Sequence, residues 1–323
     1  MSVPALRIGV AGAGHFGRYH ALKVAASGRA RLVGVYDPDT ERAKTVGWEA
    51  GAPDMPLDAL LAGIDALIVA APAEAHHALA VQALRMGKHV LVEKPVASTL
   101  AQADELATLV RETGLVLQVG HLERFSAAYQ ALARRTQAAL YIDAVRIAPF
   151  KPRGTDVSVI LDLMIHDLDL VLALVDSPIE SVEAVGAPIA SEFEDIANAR
   201  LRFENGAVAT ITASRVSIRT ERRMRIFARD SYLAADFSTR KLTVIGKGIG
   251  QKLPGVAEFG IEEASWDDHD SLAAEHAAFQ ASILDGEPVL VDVAAGRRAL
   301  SAALDVAKAM AESRGRMERG GLL

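Results

Sequence analysis

Residues 6–19, LRIGVAGAGHFGRY, decide how the rest of the chain is read. The apolar run Ile8-Gly9-Val10-Ala11 leads into Gly12-Ala13-Gly14-His15-Phe16-Gly17, and a helical pattern follows through Ala26. Strand, glycine turn and helix in that order form the phosphate-binding fingerprint of a dinucleotide fold. Gly12 permits the tight turn, Gly14 lets the backbone approach a pyrophosphate, and Gly17 lets the helix lie close on the strand. The helix N-terminus then turns its N–H groups toward the phosphates, with His15 and Phe16 at the cofactor edge. A second strand, 31–36, ends on Asp37, 20 residues beyond Gly17. A carboxylate there binds the ribose hydroxyls of NAD and repels the 2′-phosphate of NADP. Pro38-Asp39 follows with no cation, and Arg42 is the one basic side chain that could offset the repulsion. NAD is therefore expected in preference to NADP.

A chain of 323 residues has room for about two domains at roughly 150 residues each. Half of its residues are apolar, enough for two cores. With no cysteine, disulfides, thiolate metal sites and a cysteine nucleophile are excluded, which fits a reducing compartment. No signal-peptide pattern opens the sequence, and no apolar run approaches the ~18 residues of a membrane span, so a cytoplasmic protein without a membrane partner is expected. A net charge of −6 argues against general nucleic-acid affinity.

The first 121 residues alternate between the two regular structures. Apolar strands are expected at 6–11, 31–36, 65–70, 88–92 and 115–119, with helices at 15–27, 39–50, 74–87 and 99–113 and a less regular 51–64. That alternation predicts a doubly wound, mostly parallel Rossmann sheet, with the loops after Ala11, Tyr36, Ala70 and Val92 on one edge. Beyond it the rhythm changes. A helix is expected at 122–137, a strand at 140–148, a loop holding Lys151 and Arg153, and a long helix at 156–175. Strands follow at 178–187, 221–229, 231–237 and 241–246, with a hairpin turning on Asn205-Gly206 between 199 and 214. Helices at 271–285 and 292–313 close the chain. Residues 122–323 thus read as an α+β domain with a large, mainly antiparallel open sheet, its last helices free to pack back on the first domain.

Two groups of side chains point to chemistry. The strand at 88–92 delivers Glu93-Lys94-Pro95 to the dinucleotide edge, although a surface salt pair would look the same. The helix at 156–175 carries Asp162, His166 and Asp169 at i, i+4 and i+7, a polar stripe on an otherwise apolar helix. Asp162 and His166 could also make half a metal site, but no third ligand pattern lies nearby, and no metal is expected.

Five motifs occur together in one order: Gly12-x-Gly14-x-x-Gly17, the segment from Ala71-Pro72 to His76, Glu93-Lys94-Pro95, Arg124-Phe125 and Asp162-x-x-x-His166. Over almost its whole length the chain resembles the glucose-fructose oxidoreductase, inositol dehydrogenase and rhizopine-catabolism family. The resemblance implies that Lys94 sits by the nicotinamide within a cis Lys94–Pro95 peptide. It also implies that Ala71, Pro72, His76 and Glu93 lie along the cofactor and that Asp162 and His166 reach the substrate. One departure is that Ala71-Pro72-Ala73 stands where the family often has Thr-Pro-Asn, which removes two polar groups from that edge.

These residue types suit oxidation of a secondary alcohol, in which a base takes the hydroxyl proton and a cation favours the developing alkoxide. His166 serves as base, Asp162 orients it or holds a neighbouring hydroxyl, and Lys94 stabilises the alkoxide. Asp169, His121, Arg124, Lys151 and Arg153 are further candidate substrate contacts, with a solvated surface position the default reading for Lys151 and Arg153 and a contact between domains the alternative for Asp169. Segments 119–125 and 161–169 look most like the branch that oxidises the 3-hydroxyl of UDP-N-acetylglucosamine ahead of a partner aminotransferase. A free inositol or aldose dehydrogenase is the alternative enzyme. A non-catalytic dinucleotide sensor would need neither Lys94 nor the polar stripe. The open sheet, with Val208, Ile218, Met224 and Ile226 to cover, predicts a homodimer or homotetramer.

Overall fold

β1 (Leu6–Ala11) is buried at five of its six positions, as a strand at the centre of a doubly wound sheet must be. The computed structural model describes residues 5–151, 157–256, 258–266 and 269–321. The chain divides into two units, the first reaching Phe125 and taking in Asp270–Leu300, the second formed by Ser126–His269 and the chain from Ser301 onward.

In the first unit β1 is followed by α1 (His15–Ala25), β2 (Ala30–Tyr36), α2 (Thr40–Ala50), α3 (Leu57–Gly63) and β3 (Ala66–Val69). Then come α4 (Ala73–Arg85), β4 (His89–Glu93), α5 (Leu100–Thr113) and β5 (Leu117–Gly120). The five strands are parallel in the order β2-β1-β3-β4-β5, so the order reverses between β1 and β3, where such sheets bind ligands. Local chemistry sets the helix ends. Asp39 caps α2 by accepting the Arg42 N–H, and a Thr99/Gln102 capping box starts α5, which stops at Gly114 in the left-handed region. The irregular stretch 51–64 contains α3, too short for a periodic pattern, and inserts Leu60 and Leu61 fully into the core. The expected helix at 122–137 is instead a 3₁₀ turn, Leu122–Phe125, and then α6 (Ala127–Ala133) capped by Ser126. The turn packs against α8 (Ser271–Leu284), which moves the division from residue 121 to Phe125.

The second unit starts with α6 and β6 (Ala139–Ile147), then a π-helical turn, Ile160–Met164, and α7 (Ile165–Val175). β7 (Ile179–Ala187), β8 (Ile196–Phe203), β9 (Val208–Ser214), β10 (Glu221–Ala228), β11 (Ser231–Asp236) and β12 (Lys241–Lys247) follow. Two strands had no expected counterpart, β13 (Gln251–Lys252) and β14 (Phe259–Ser265). The sheet order is β13-β14-β12-β11-β10-β6-β9-β8-β7, with every pair antiparallel except β6 and β9. The open, mainly antiparallel sheet is thus the observed one. α9 (Val293–Arg319) ends the described chain, and its residues from Ser301 belong to this unit.

Strand alternation assigns the two sheet faces. Ile142, Ala144, Ile211, Leu233 and Ala235 are fully buried on the face that α7 covers at β6 and β9 and α6 at β11. Met224 and Ile226 also lie fully buried there, so they are not part of the face expected to need a partner. They alternate with Arg223, Arg225 and Phe227, whose side carries Tyr141, Phe227 and Tyr232 in ring contact at 5.6 and 4.9 Å. Ile218 is fully exposed.

A buried charge closes the loop between β7 and β8. The Asp195 carboxylate accepts from the N–H groups of Ile189 (2.7 Å), Ala190 (2.6 Å) and Ser191 (3.0 Å) and from Arg215 Nε (2.7 Å). Burial opposes its ionisation, but these donors outweigh burial and hold the carboxyl well below its usual range. Arg215 in turn donates to the Val157 carbonyl (2.8 Å), where the chain approaches the π-helical turn. Asp195→Asn strands Arg215 and should lower stability by about 3–5 kcal/mol at pH 7. Because the folded-state pKa is depressed, that stability is present above the unfolded value and lost as pH falls. In urea titrations the gap between wild type and variant should therefore narrow below about pH 4.

Candidate functional site

The glycine turn has the geometry that its sequence implies. At Gly12, with φ +104°, a Cβ would stand 2.4 Å from the Ala70 carbonyl oxygen, and at Gly17 it would stand 1.8 Å from the Gly12 carbonyl oxygen. Neither position admits a side chain. Gly14 is the opposite case, since a Cβ there meets nothing within 4 Å. This open ground lies at the start of α1, which has no side-chain cap and no acidic residue in its first turn. Its positive end is thus available to an anion, and the residues fit a dinucleotide pyrophosphate. His15 and Phe16 are exposed beside it, and the His15 ring meets Phe16 and Tyr19 edge-on at 5.7 and 4.9 Å.

Asp37 joins β2 to this turn by accepting from Ala13 N–H (2.7 Å) and Asp39 N–H (2.9 Å). A cleft of about 640 Å³ opens here, lined among others by Gly12, Asp37, Arg42, Ala71, Pro72 and Leu79. His76 is almost fully buried between the carbonyls of Ala71 and Pro95, 2.8 Å from each, so it ties the loop after β3 to the loop after β4. The Lys94–Pro95 peptide is cis. Glu93, expected along the cofactor, turns its carboxylate inward to His20 Nε2 (3.0 Å) and also accepts the Lys94 N–H (3.2 Å). Burial works against that carboxylate, but the His20 hydrogen bond and the charges of His20, Lys94 and His76 hold it below the usual range. His121 and Arg124 are buried at the end of β5 and in the following turn.

In the second unit the expected continuous helix is a π-helical turn followed by α7. Leu161 and Asp162 both donate to the Ser158 carbonyl (3.1 Å each) as the turn begins. The π turn holds Asp162, and His166 stands in the first turn of α7, both half-buried. Such turns occur frequently at functional sites, because one extra residue re-aims the side chains around it. Asp169 is 2 % exposed and Asp167 5 %. Asp167 accepts a bidentate pair from Arg146 of β6, at 2.7 and 3.0 Å, which fixes the residue next to His166 on the sheet. Arg146 belongs to none of the sequence motifs. Its signal was a lone arginine at an inward position of an alternating strand. Lys151 is exposed, and Arg153 lies outside the described residues.

Comparison with known proteins gives the family. Residues 6–121 match the NAD-binding Rossmann fold of the GFO/IDH/MocA oxidoreductase family, and residues 145–233 match its C-terminal domain. The chain is 42 % identical over 305 residues to UDP-N-acetylglucosamine 3-dehydrogenase of Acidithiobacillus ferrooxidans, covering 93 % of this chain and 96 % of that protein. A solved structure of that enzyme superposes with a TM-score of 0.90 at 41 % identity, covering 95 % and 98 % of the two chains. The scyllo-inositol 2-dehydrogenase (NAD(+)) of Bacillus subtilis is 32 % identical over 232 residues, 66 % of this chain and 68 % of that one. With both of its domains matched, the chain belongs to the GFO/IDH/MocA oxidoreductase family and is an NAD-dependent dehydrogenase acting on CH–OH groups.

Proposed function

We propose that the enzyme oxidises the 3-hydroxyl of UDP-N-acetylglucosamine to the ketone, passing the C3 hydride to NAD and the hydroxyl proton to His166. The observation that carries this substrate is likeness over nearly the whole chain to an enzyme of that name, at 42 % identity and a TM-score of 0.90. NAD, when bound, supplies the hydride acceptor. Gly14, the start of α1 and Asp37 hold its phosphates and ribose, and Ala71 and Pro72 line its cleft. Lys94 stabilises the developing alkoxide, and Asp162 orients His166 or a neighbouring hydroxyl. Asp169, His121, Arg124 and Lys151 serve the substrate, the cations toward its pyrophosphate. Oxidation of an alcohol by NAD runs uphill, and an aminotransferase that consumes the ketone would pull it forward.

Lys94→Ala and His166→Ala should each lower kcat by at least about two orders of magnitude, while NAD affinity by fluorescence titration stays within about threefold. Turnover within a fewfold of wild type would remove the role assigned to that residue.

The uncovered face bearing Tyr141, Phe227 and Tyr232 supports a homodimer or homotetramer formed by pairing of that face. Light scattering at micromolar concentration should give a multiple of the chain mass, and Phe227→Asp should shift it toward the monomer. A monomeric wild type overturns this assembly.

For the substrate, NADH formation coupled to an aminotransferase is compared on UDP-N-acetylglucosamine, myo-inositol and glucose. Turnover should appear with the nucleotide sugar. Robust turnover of a free polyol with none on the nucleotide sugar would overturn the substrate and leave the family untouched.

A further inference from the structure

The first unit gathers four ionisable side chains, three of them buried. His20 of α1 and Glu275 of α8 are fully buried, and His276 is 4 % exposed. His20 contacts Glu93 Oε1 through Nε2 (3.0 Å) and His276 Nε2 through Nδ1 (2.8 Å). One ligating atom each of His20, Glu93 and Glu275 lie within 4.8 Å of one another. Both carboxyl oxygens of Glu275 are without a hydrogen-bond partner among the described residues, while its backbone carbonyl accepts from Gln118 Nε2 (3.1 Å).

Burial pushes His276 down to about 3, so it is a neutral ring. His20 donates from Nε2 to the Glu93 carboxylate, and its Nδ1 shares one hydrogen with His276 Nε2. Burial and then repulsion from Glu93 push the Glu275 carboxyl well above its usual range. The surroundings thus favour the charged form of Glu93 and the protonated form of Glu275. The other charged groups acting on the cluster are His76 and Lys94 beside Glu93, and Lys23 and Asp270 around His276. Glu123 and Arg124 stand on the turn packed against α8.

We propose that His20 and Glu275 are positioning residues for Lys94: His20 by its hydrogen bond, and Glu275 by its buried carboxyl group beside Glu93, keep the Glu93 carboxylate turned inward. Lys94 follows Glu93 directly and donates its backbone N–H to the same carboxylate, so a Glu93 that swings away carries Lys94 with it. The inference rests on the reading that Lys94 acts on the alkoxide.

Three variants test it, Glu275→Gln, Glu275→Ala and His20→Ala, with kcat, NAD affinity and urea stability measured from pH 5 to 8. Glu275→Ala and His20→Ala should lower kcat about tenfold with NAD affinity within threefold. Glu275→Gln, which keeps a neutral group of the same shape, should restore kcat to within threefold of wild type. A raised carboxyl pKa means that the folded protein keeps a proton the unfolded chain releases, so wild-type stability falls as pH rises above about 4.3. Glu275→Gln lacks that loss and should gain on wild type as pH rises. The proposal is overturned if Glu275→Gln loses ground as pH rises, or if folded His20→Ala keeps kcat within twofold. Elemental analysis showing one divalent metal per wild-type chain, absent from Glu275→Gln, would also overturn it. An active Lys94→Ala would sink the Lys94 reading instead, and the pH dependence of Glu275→Gln stability would still report on the buried acid by itself.

Discussion

The first unit depends on one steric contact, the approach of Gly17 to the Gly12 carbonyl, which leaves no room for a Cβ. That contact lets α1 lie directly on the edge of the turn, and it sets which residues of α1 face inward. Gly17, His20, Ala21 and Val24 are its buried residues, at the i, i+3, i+4 and i+7 spacing of one helix face. Three of them are small or apolar, as docking onto a sheet requires. The fourth, His20, is an imidazole delivered to the Glu93 carboxylate at the end of β4. A side chain at residue 17 would lift the helix and break that hydrogen bond, so the phosphate turn and the residues leading into Lys94 are mechanically linked.

The second unit solves a related problem with paired charges. Apart from Asp162, His166, Asp167 and Asp169 this segment is apolar, and apolar packing alone leaves a helix free to slide or rotate by small amounts. Two buried arginines remove that freedom. Arg146 grips Asp167 beside His166, and Arg215 holds the Val157 carbonyl ahead of the π-helical turn while its own charge is matched by Asp195. Burying such pairs is costly, and their directionality is what apolar contacts lack.

The sequence was legible where neighbours in the chain are neighbours in space. The glycine fingerprint, the five parallel strands, the Asn205-Gly206 hairpin and the open antiparallel sheet all rest on short-range patterns, and all are found. What escaped was set by distant partners or by very short elements. His20 meets His276 across 256 positions, and Arg146 meets Asp167 across 21. No local pattern announces either pair. α3 has seven residues and β13 two, below the length at which periodicity discriminates. The regular spacing at Asp162 and His166 suggested a plain α-helix, whereas the backbone there winds wider, a difference that the side-chain pattern does not encode.

Choice of cofactor shows how a short-range motif gains meaning from its surroundings. Asp37 spends one lone pair of each carboxylate oxygen on the backbone N–H groups of Ala13 and Asp39, and each oxygen keeps another for a ribose hydroxyl. A 2′-phosphate would bring a charge of about −1.5 to −2 to the same place. Arg42 is the cation that could offset it, but Arg42 is already held by Asp39, whose carboxylate meets Nη2 at 3.0 Å and caps α2 through the Arg42 N–H. Drawing Arg42 toward a phosphate would break that ion pair and leave Asp39 beside Asp37 as a second uncompensated anion. Preference for NAD therefore draws on the Asp39–Arg42 pair as well as on Asp37.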